Sequence, residues 1–176
     1  MKIPYDIRSY PEWGMGDSFD LWFSEWQDKY LKILKKKSIT GFGWNSPSQA
    51  EENIEFVRKL SGCNISHISI RSGKVKDFRP LETLPDLEMI SIDAPYTSCP
   101  DFAAYPNLRI LLLNYRAPAK SLFQCKNLEY LHIDKYPHKD LQPLAHMKHL
   151  QKLLILTNLE HQLQYHNYFL NIDLKV

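Results

Sequence analysis

The stretch Leu128-Glu129-Tyr130-Leu131-His132-Ile133, LEYLHI, decides how this chain folds. Its leucines and isoleucine are core residues by type, and a tyrosine and a histidine alternate with them. Successive side chains of an extended strand point to opposite faces. Leu131 and Ile133 then share one face, and Tyr130 and His132 the other. The form L-x-x-L-x-L returns along the chain as ISHISI from Ile65, LEMISI from Leu87, LRILLL from Leu108 and LQKLLI from Leu150. A degraded copy, FLNIDL, starts at Phe169. Successive copies begin 22, 21, 20, 22 and 19 residues apart. Such a period marks a stacked array, because one strand cannot bury its apolar face alone and a row of parallel neighbours can.

The segments between copies repeat as well. DFRPLETLPDL, from Asp77, and DLQPLAHMKHL, from Asp140, align residue for residue, Pro80 with Pro143 and Leu81 with Leu144. DFAAYPNL and SLFQCKNL are shortened versions. Together these features resemble the leucine-rich repeat family, most closely its short bacterial repeats with a D-L-x-P-L-x-x-L return segment, over residues 65–176. The resemblance implies an α/β solenoid with a parallel sheet of about six to seven short strands and a helical amino-terminal cap. It also implies recognition rather than catalysis. One departure stands out. The family places an asparagine three residues after the third apolar position, where this chain has Gly73, Pro95, Arg116, Tyr136 and Asn158. Only the last conforms, so the turns after the strands are expected to be irregular.

Positions 4 and 6 of each copy are assigned to the core: Ile68/Ile70, Ile90/Ile92, Leu111/Leu113, Leu131/Ile133 and Leu153/Ile155. The return segments, anchored by Leu81, Leu84, Phe102, Leu122, Phe123, Leu144 and Met147, cover that core from the other side, since parallel strands require crossovers.

The first 64 residues read as a cap within a single domain of residues 1–176. SFDLWFSEWQDKYLKILKKK, from Ser18, places Phe19, Trp22, Phe23, Trp26, Tyr30, Ile33 and Leu34 at helical spacing. Asp17 or Ser18 is its expected cap, and Lys35, Lys36 and Lys37 fall where a helix dipole favours cations. ITGFGW, from Ile39, has the form of a divergent first strand, with Gly41 and Gly43 at outward positions that imply a close approach. Ser46-Pro47-Ser48-Gln49 reads as a capping-box start of a second helix. Its buried face would be Ala50, Ile54, Phe56, Val57 and Leu60, and Gly62 would end it.

Positions 3, 5 and 7 then face away from the core. They are His67, Ser69 and Arg71; Met89, Ser91 and Asp93; Ile110, Leu112 and Asn114; Tyr130, His132 and Asp134; and Lys152, Leu154 and Leu156. The last copy would add Asn171, Asp173 and Lys175. Met89, Ile110, Leu112, Tyr130, Leu154 and Leu156 make an apolar centre, and Arg71, Asp93, Asp134 and Lys152 a charged flank. That is the anatomy of a protein interface. His67, Asn114 and His132 complete the candidate partner-binding set. A competing use of the face is internal cover by residues 1–16, and a competing binding surface is the loops, where Tyr96, Tyr115 and Tyr136 are expected to be exposed.

The composition excludes other classes. The 176 residues carry a net charge of +2, too small to draw nucleic acid or a membrane surface. No apolar run is long enough to span a bilayer, and the first residues carry no secretory signal, so the expected location is the cytoplasm. Cys63, Cys99 and Cys125 are odd in number and form no C-x-x-C pair, which fits reduced thiols. His132, His138, His146, His149, His161 and His166 occupy different parts of the repeat without a carboxylate or thiolate set, so no metal site is expected. Neither a phosphate loop nor a nucleophile with a matching histidine is present. The expectation is therefore a non-enzymatic protein with no cofactor and no small-molecule substrate. By analogy of size and architecture it is an immunity protein that binds and neutralises a cognate toxin. A scaffold or subunit of a larger assembly is the alternative, and a histidine-dependent metal hydrolase a more distant one.

Overall fold

The copies from Ile65 to Leu150 become five neighbouring strands of one nine-stranded sheet. The structure, a computed structural model, describes residues 5–11, 14–22, 24–36, 39–46, 53–137, 141–156 and 168–170. The strands are β1 (Tyr5–Ser9), β2 (Asp17–Trp22), β3 (Gly41–Ser46), β4 (His67–Ser72), β5 (Met89–Asp93), β6 (Ile110–Asn114), β7 (Tyr130–Asp134), β8 (Lys152–Leu156) and β9 (Tyr168–Leu170). They lie side by side in chain order in an open sheet. β2 to β8 run parallel, and β1 and β9 close the two edges antiparallel.

The register matches the columns of the sequence alignment. Gly41, His67, Met89, Ile110, Tyr130 and Lys152 are successive partners, and so are Trp44, Ile70, Ile92, Leu113, Ile133 and Ile155. Register is well specified wherever a one-residue slip would turn core side chains to the other face. It is fixed again at the strand entrances. The carbonyls of Thr40, Ser66, Glu88, Arg109 and Glu129 each accept two backbone N–H groups from the start of the next strand, at 2.7 to 3.2 Å.

The core lies between this sheet and a layer of short helices. Ile68, Ile70, Ile90, Ile92, Leu111, Leu113, Leu131, Ile133 and Leu153 are buried, as is the first apolar position of each of the five copies. Each buried aliphatic side chain contributes about 1.5–3 kcal/mol relative to exposure. The return segments are 3-10 helices over Arg79–Thr83, Phe102–Ala104, Ala117–Gln124 and Gln142–Leu144. Leu81, Leu84, Phe102, Leu122, Leu144 and Met147 close the core from that side, with Phe123 packed against it. Prolines at the first turns of three of these helices supply no N–H where none is needed.

The amino-terminal third departs from the expected pair of helices. Residues 17–22 form β2, and the only α-helix among the described residues, α1, is confined to Lys29–Lys36. Phe19 and Leu21 are wholly buried on the core side of a strand flanked by β1 and β3. There both sheet ladders satisfy the backbone, and this outweighs the helical spacing of the aromatics. Trp26 precedes α1 and stacks on Phe56 at 5.1 Å between ring centroids; Phe42 meets both rings edge-on at 5.8 Å. Ser46 ends β3 rather than capping a helix, and the remaining capping-box residues and Ala50 lie outside the described residues. A 3-10 helix over Glu55–Gly62 buries Phe56, Val57 and Leu60, with Ile54 buried just before it.

The last copy is also corrected. β9 pairs with β8 antiparallel, Leu153 facing Leu170 and Ile155 facing Tyr168, so it is no further member of the parallel row. Only eleven residues separate β8 from β9, fewer than the dozen or more a parallel crossover uses. Asn171, Asp173 and Lys175 lie outside the described residues.

Candidate interaction face

The face of the sheet turned away from the core falls into two regions. Across β2, β3 and β4 the outward positions are Ser18 and Asp20, Gly41 and Gly43, then His67 and Ser69. Across β5 to β8 they are Met89 and Ser91, Ile110 and Leu112, Tyr130 and His132, then Lys152 and Leu154. The first region is polar and, apart from the exposed Ser69, buried, and the second is half-buried and largely apolar.

Closure of the first region starts from the glycines. A Cβ on Gly41 would overlap the imidazole of His67, and one on Gly43 would overlap the carboxylate of Asp20. Both side chains therefore lie flat over a strand that has none of its own to offer. Asp20 accepts hydrogen bonds from Tyr10 Oη at 2.9 Å and Ser18 Oγ at 2.8 Å, with Arg8 Nε 3.7 Å away. It is 6% exposed, and His67 4%. Burial pushes the His67 imidazole below its ordinary value, and the Asp20 carboxylate opposes that shift. Neither ring nitrogen of His67 has a hydrogen-bond partner among the described residues. His67 does point outward as expected, yet it is buried, so it is removed from the accessible face. The close approach expected at the two glycines is present.

The described part of the amino-terminal segment takes no part in covering the second region. Residues 5–9 form β1, an edge strand three strands away from β4, and the Tyr10 hydroxyl donates to Asp20 on β2. Met89, Leu112, Tyr130, Leu154 and Leu156 are half-buried, shielded in part by one another, while Ile110 is 6% exposed between Met89 and Tyr130. Ile110 is thus a support beneath its neighbours rather than a contact residue. Lys152 is exposed at one end of this region.

A charged border follows the carboxyl ends of the strands. Arg71 Nε lies 3.1 Å from Asp93 Oδ2, and Asn114 Nδ2 donates to Asp93 Oδ1 at 2.8 Å, so three strands are laced together. On the next strand His132 Nε2 and Asp134 Oδ1 are 2.8 Å apart. Beyond the border, Arg71, Gly73, Asp93, Asn114, Arg116 and Lys135 line a notch of about 280 Å³. The notch joins turns from separate copies, and Arg116 within it stands where the repeat calls for asparagine.

The loop tyrosines are corrected. Tyr96 is 1% exposed and donates its hydroxyl to Asn114 O at 2.8 Å; Tyr136 is 3% exposed. Tyr115 packs edge-on against Tyr136 at 5.3 Å. These rings fill the space that opens behind irregular turns.

Groups with chemical potential are dispersed. Cys63, Cys99 and Cys125 are free thiols, and burial pushes Cys99 and Cys125 up to about 12, far from thiolate character. His146 and His149 are exposed on a return segment, and His138, His161 and His166 lie outside the described residues. Among the described residues no three histidine, cysteine or carboxylate side chains gather as a metal would require. No described helix is long and apolar enough to cross a membrane. No protein-family model matches this chain, and no curated protein matches it significantly.

Proposed function

We propose that this chain is a leucine-rich-repeat solenoid that binds another protein through the outer face of β5 to β8, and that the partner is a toxin which it neutralises. One observation carries the reading: Met89, Leu112, Tyr130, Leu154 and Leu156 gather on the outer face of four neighbouring strands, interleaved with Ser91 and His132 and bordered by the Arg71–Asp93–Asn114 network. Four strands about 4.8 Å apart present a patch roughly 14 Å wide, the scale of an interface core rather than of a small-molecule pocket. A half-buried tyrosine among aliphatic side chains is the usual composition of an affinity hot spot. The aligned register supports the repeat assignment, and the repeat architecture supports recognition as the task.

The test compares wild type with Leu112→Arg/Tyr130→Arg as baits in lysate from the native cell. The expected result is one protein retained by wild type and lost by the variant. Co-expression then separates inhibitor from scaffold. A captured protein that arrests growth alone, is harmless with wild type and harmful again with the variant supports neutralisation. A harmless captured protein makes the chain an assembly subunit, and equal capture by both baits removes the face from the account.

A further inference from the structure

The notch at the carboxyl ends of the strands carries an excess of positive charge. Arg71 is committed to Asp93, whereas Arg116 and Lys135 have no ion pair among the described residues. The contrast with Arg109 at the opposite ends of the strands is direct. That guanidinium is held by Glu129 at 2.9 Å, with Glu88 3.7 Å away, and offers nothing further. In the notch three cations face one carboxylate whose oxygens are already occupied by Arg71 and Asn114.

The backbone holds the cations there. Lys135 sits at φ 60°, the only described non-glycine residue with positive φ, and its N–H is tied to Leu156 O at 2.7 Å. The preceding carbonyl, of Asp134, accepts from Tyr115 N at 2.7 Å, which anchors the chain next to Arg116. The turns after β6 and β7 are thus fixed to each other and to β8. A left-handed residue held in this way marks a position that the surroundings determine.

We propose that the notch binds an acidic peptide segment of the protein partner, its carboxylates seated on Arg116 and Lys135. This rests on the protein-binding reading and names the partner's chemistry at one border of the same face. The continuity of the notch with the outer face favours a peptide of the same partner over a single phosphate group. From β4, which carries Arg71, to β7, which Lys135 follows, is three strand spacings, about 14 Å. An extended peptide of about four residues covers that length. Arg116 and Lys135 follow adjacent strands on the same side of Asp93, about 4.8 Å apart, so carboxylates of alternate residues in an extended peptide reach both. Arg71, Asp93 and Asn114 belong both to the notch and to the outer columns of the sheet, so one partner can occupy both.

The experiment titrates the purified chain with hexaglutamate, hexaglutamine and inorganic phosphate, following the side-chain N–H resonances of Arg116 and Lys135 by NMR. The expected result is saturable binding of hexaglutamate alone, weakened by added salt. Arg116→Gln/Lys135→Gln should bind it at least about tenfold more weakly, with circular dichroism unchanged. Leu112→Arg/Tyr130→Arg should still bind. No hexaglutamate binding, or binding unaffected by the glutamine variant, overturns the proposal. Phosphate binding as tight as hexaglutamate makes the notch a phosphate site and overturns the choice of a peptide. Since the titration uses no natural partner, its failure is distinguishable from a failure of the lysate capture.

Discussion

β2 to β4 and β5 to β8 share a sheet and a core and differ in what they do with the other face. Around Gly41 and Gly43 the outward space is filled by His67 and Asp20, and Tyr10, Ser18 and Arg8 gather on that carboxylate. Around Leu112 and Tyr130 it is left to half-buried apolar side chains. One face is filled largely by its own polar side chains, and the other presents half-buried apolar ones. Strand pairing and core burial alone therefore do not determine what the sheet presents outward. The identity of positions 3 and 5 does.

If the core is common to both regions, it should be equally sensitive in both. Phe42→Ala on β3 and Leu111→Ala on β6, each wholly buried, should lower unfolding free energy by about 2–5 kcal/mol in urea melts. A near-neutral result at either position would mean that the two regions do not share one core. The outer face should show the asymmetry. Gly41→Ala should destabilise by about 1–3 kcal/mol, because the new methyl group meets the His67 ring. In a His67→Ala background that penalty should largely vanish, giving a coupling energy in a double-mutant cycle. Additive effects would show that the close approach is not the cause.

Asp20→Ala leaves the hydroxyls of Tyr10 and Ser18 without their acceptor and should cost about 1–3 kcal/mol. A smaller effect is expected from acid. His67 is held below its unfolded value of 6.5, so between that pH and the lower folded value the unfolded chain binds more protons. Stability should fall as pH drops through this window. His67→Gln should lose that component in thermal melts at pH 7.5 and 5.0, while carboxylate contributions persist. An identical pH response in both proteins would place the ring in contact with water.

The parallel row was legible in LEYLHI and its copies because each strand is buried on one face and its spacing repeats, so pattern and register agree. The amino-terminal third was not. Ser18, Phe19, Asp20 and Leu21 do alternate polar with apolar, but so short a run is outweighed by the helical spacing of the aromatics that continues through Trp22, Trp26 and Tyr30. The hydrogen bond by which Tyr10 satisfies Asp20 is a contact across a strand pair, invisible to local spacing. The outward direction of His67 was legible and its burial was not, since the burial depends on a glycine 26 residues earlier. Tyr96 and Tyr136 mislead for the related reason that a tyrosine in a loop can be either cover or core. The notch joins residues from four separate turns, and only the topology brings them together.

The central claim is that the outer face of β5 to β8 contributes to binding and not to folding. The most direct test is the urea midpoint of Leu112→Arg/Tyr130→Arg against wild type, with no partner present. Two charges placed on this half-buried outer face should shift unfolding free energy by less than the roughly 2–5 kcal/mol of a core truncation, with an unchanged denaturant slope. A loss of several kcal/mol, or of cooperative unfolding, would show that this face is packed as core and would contradict the account.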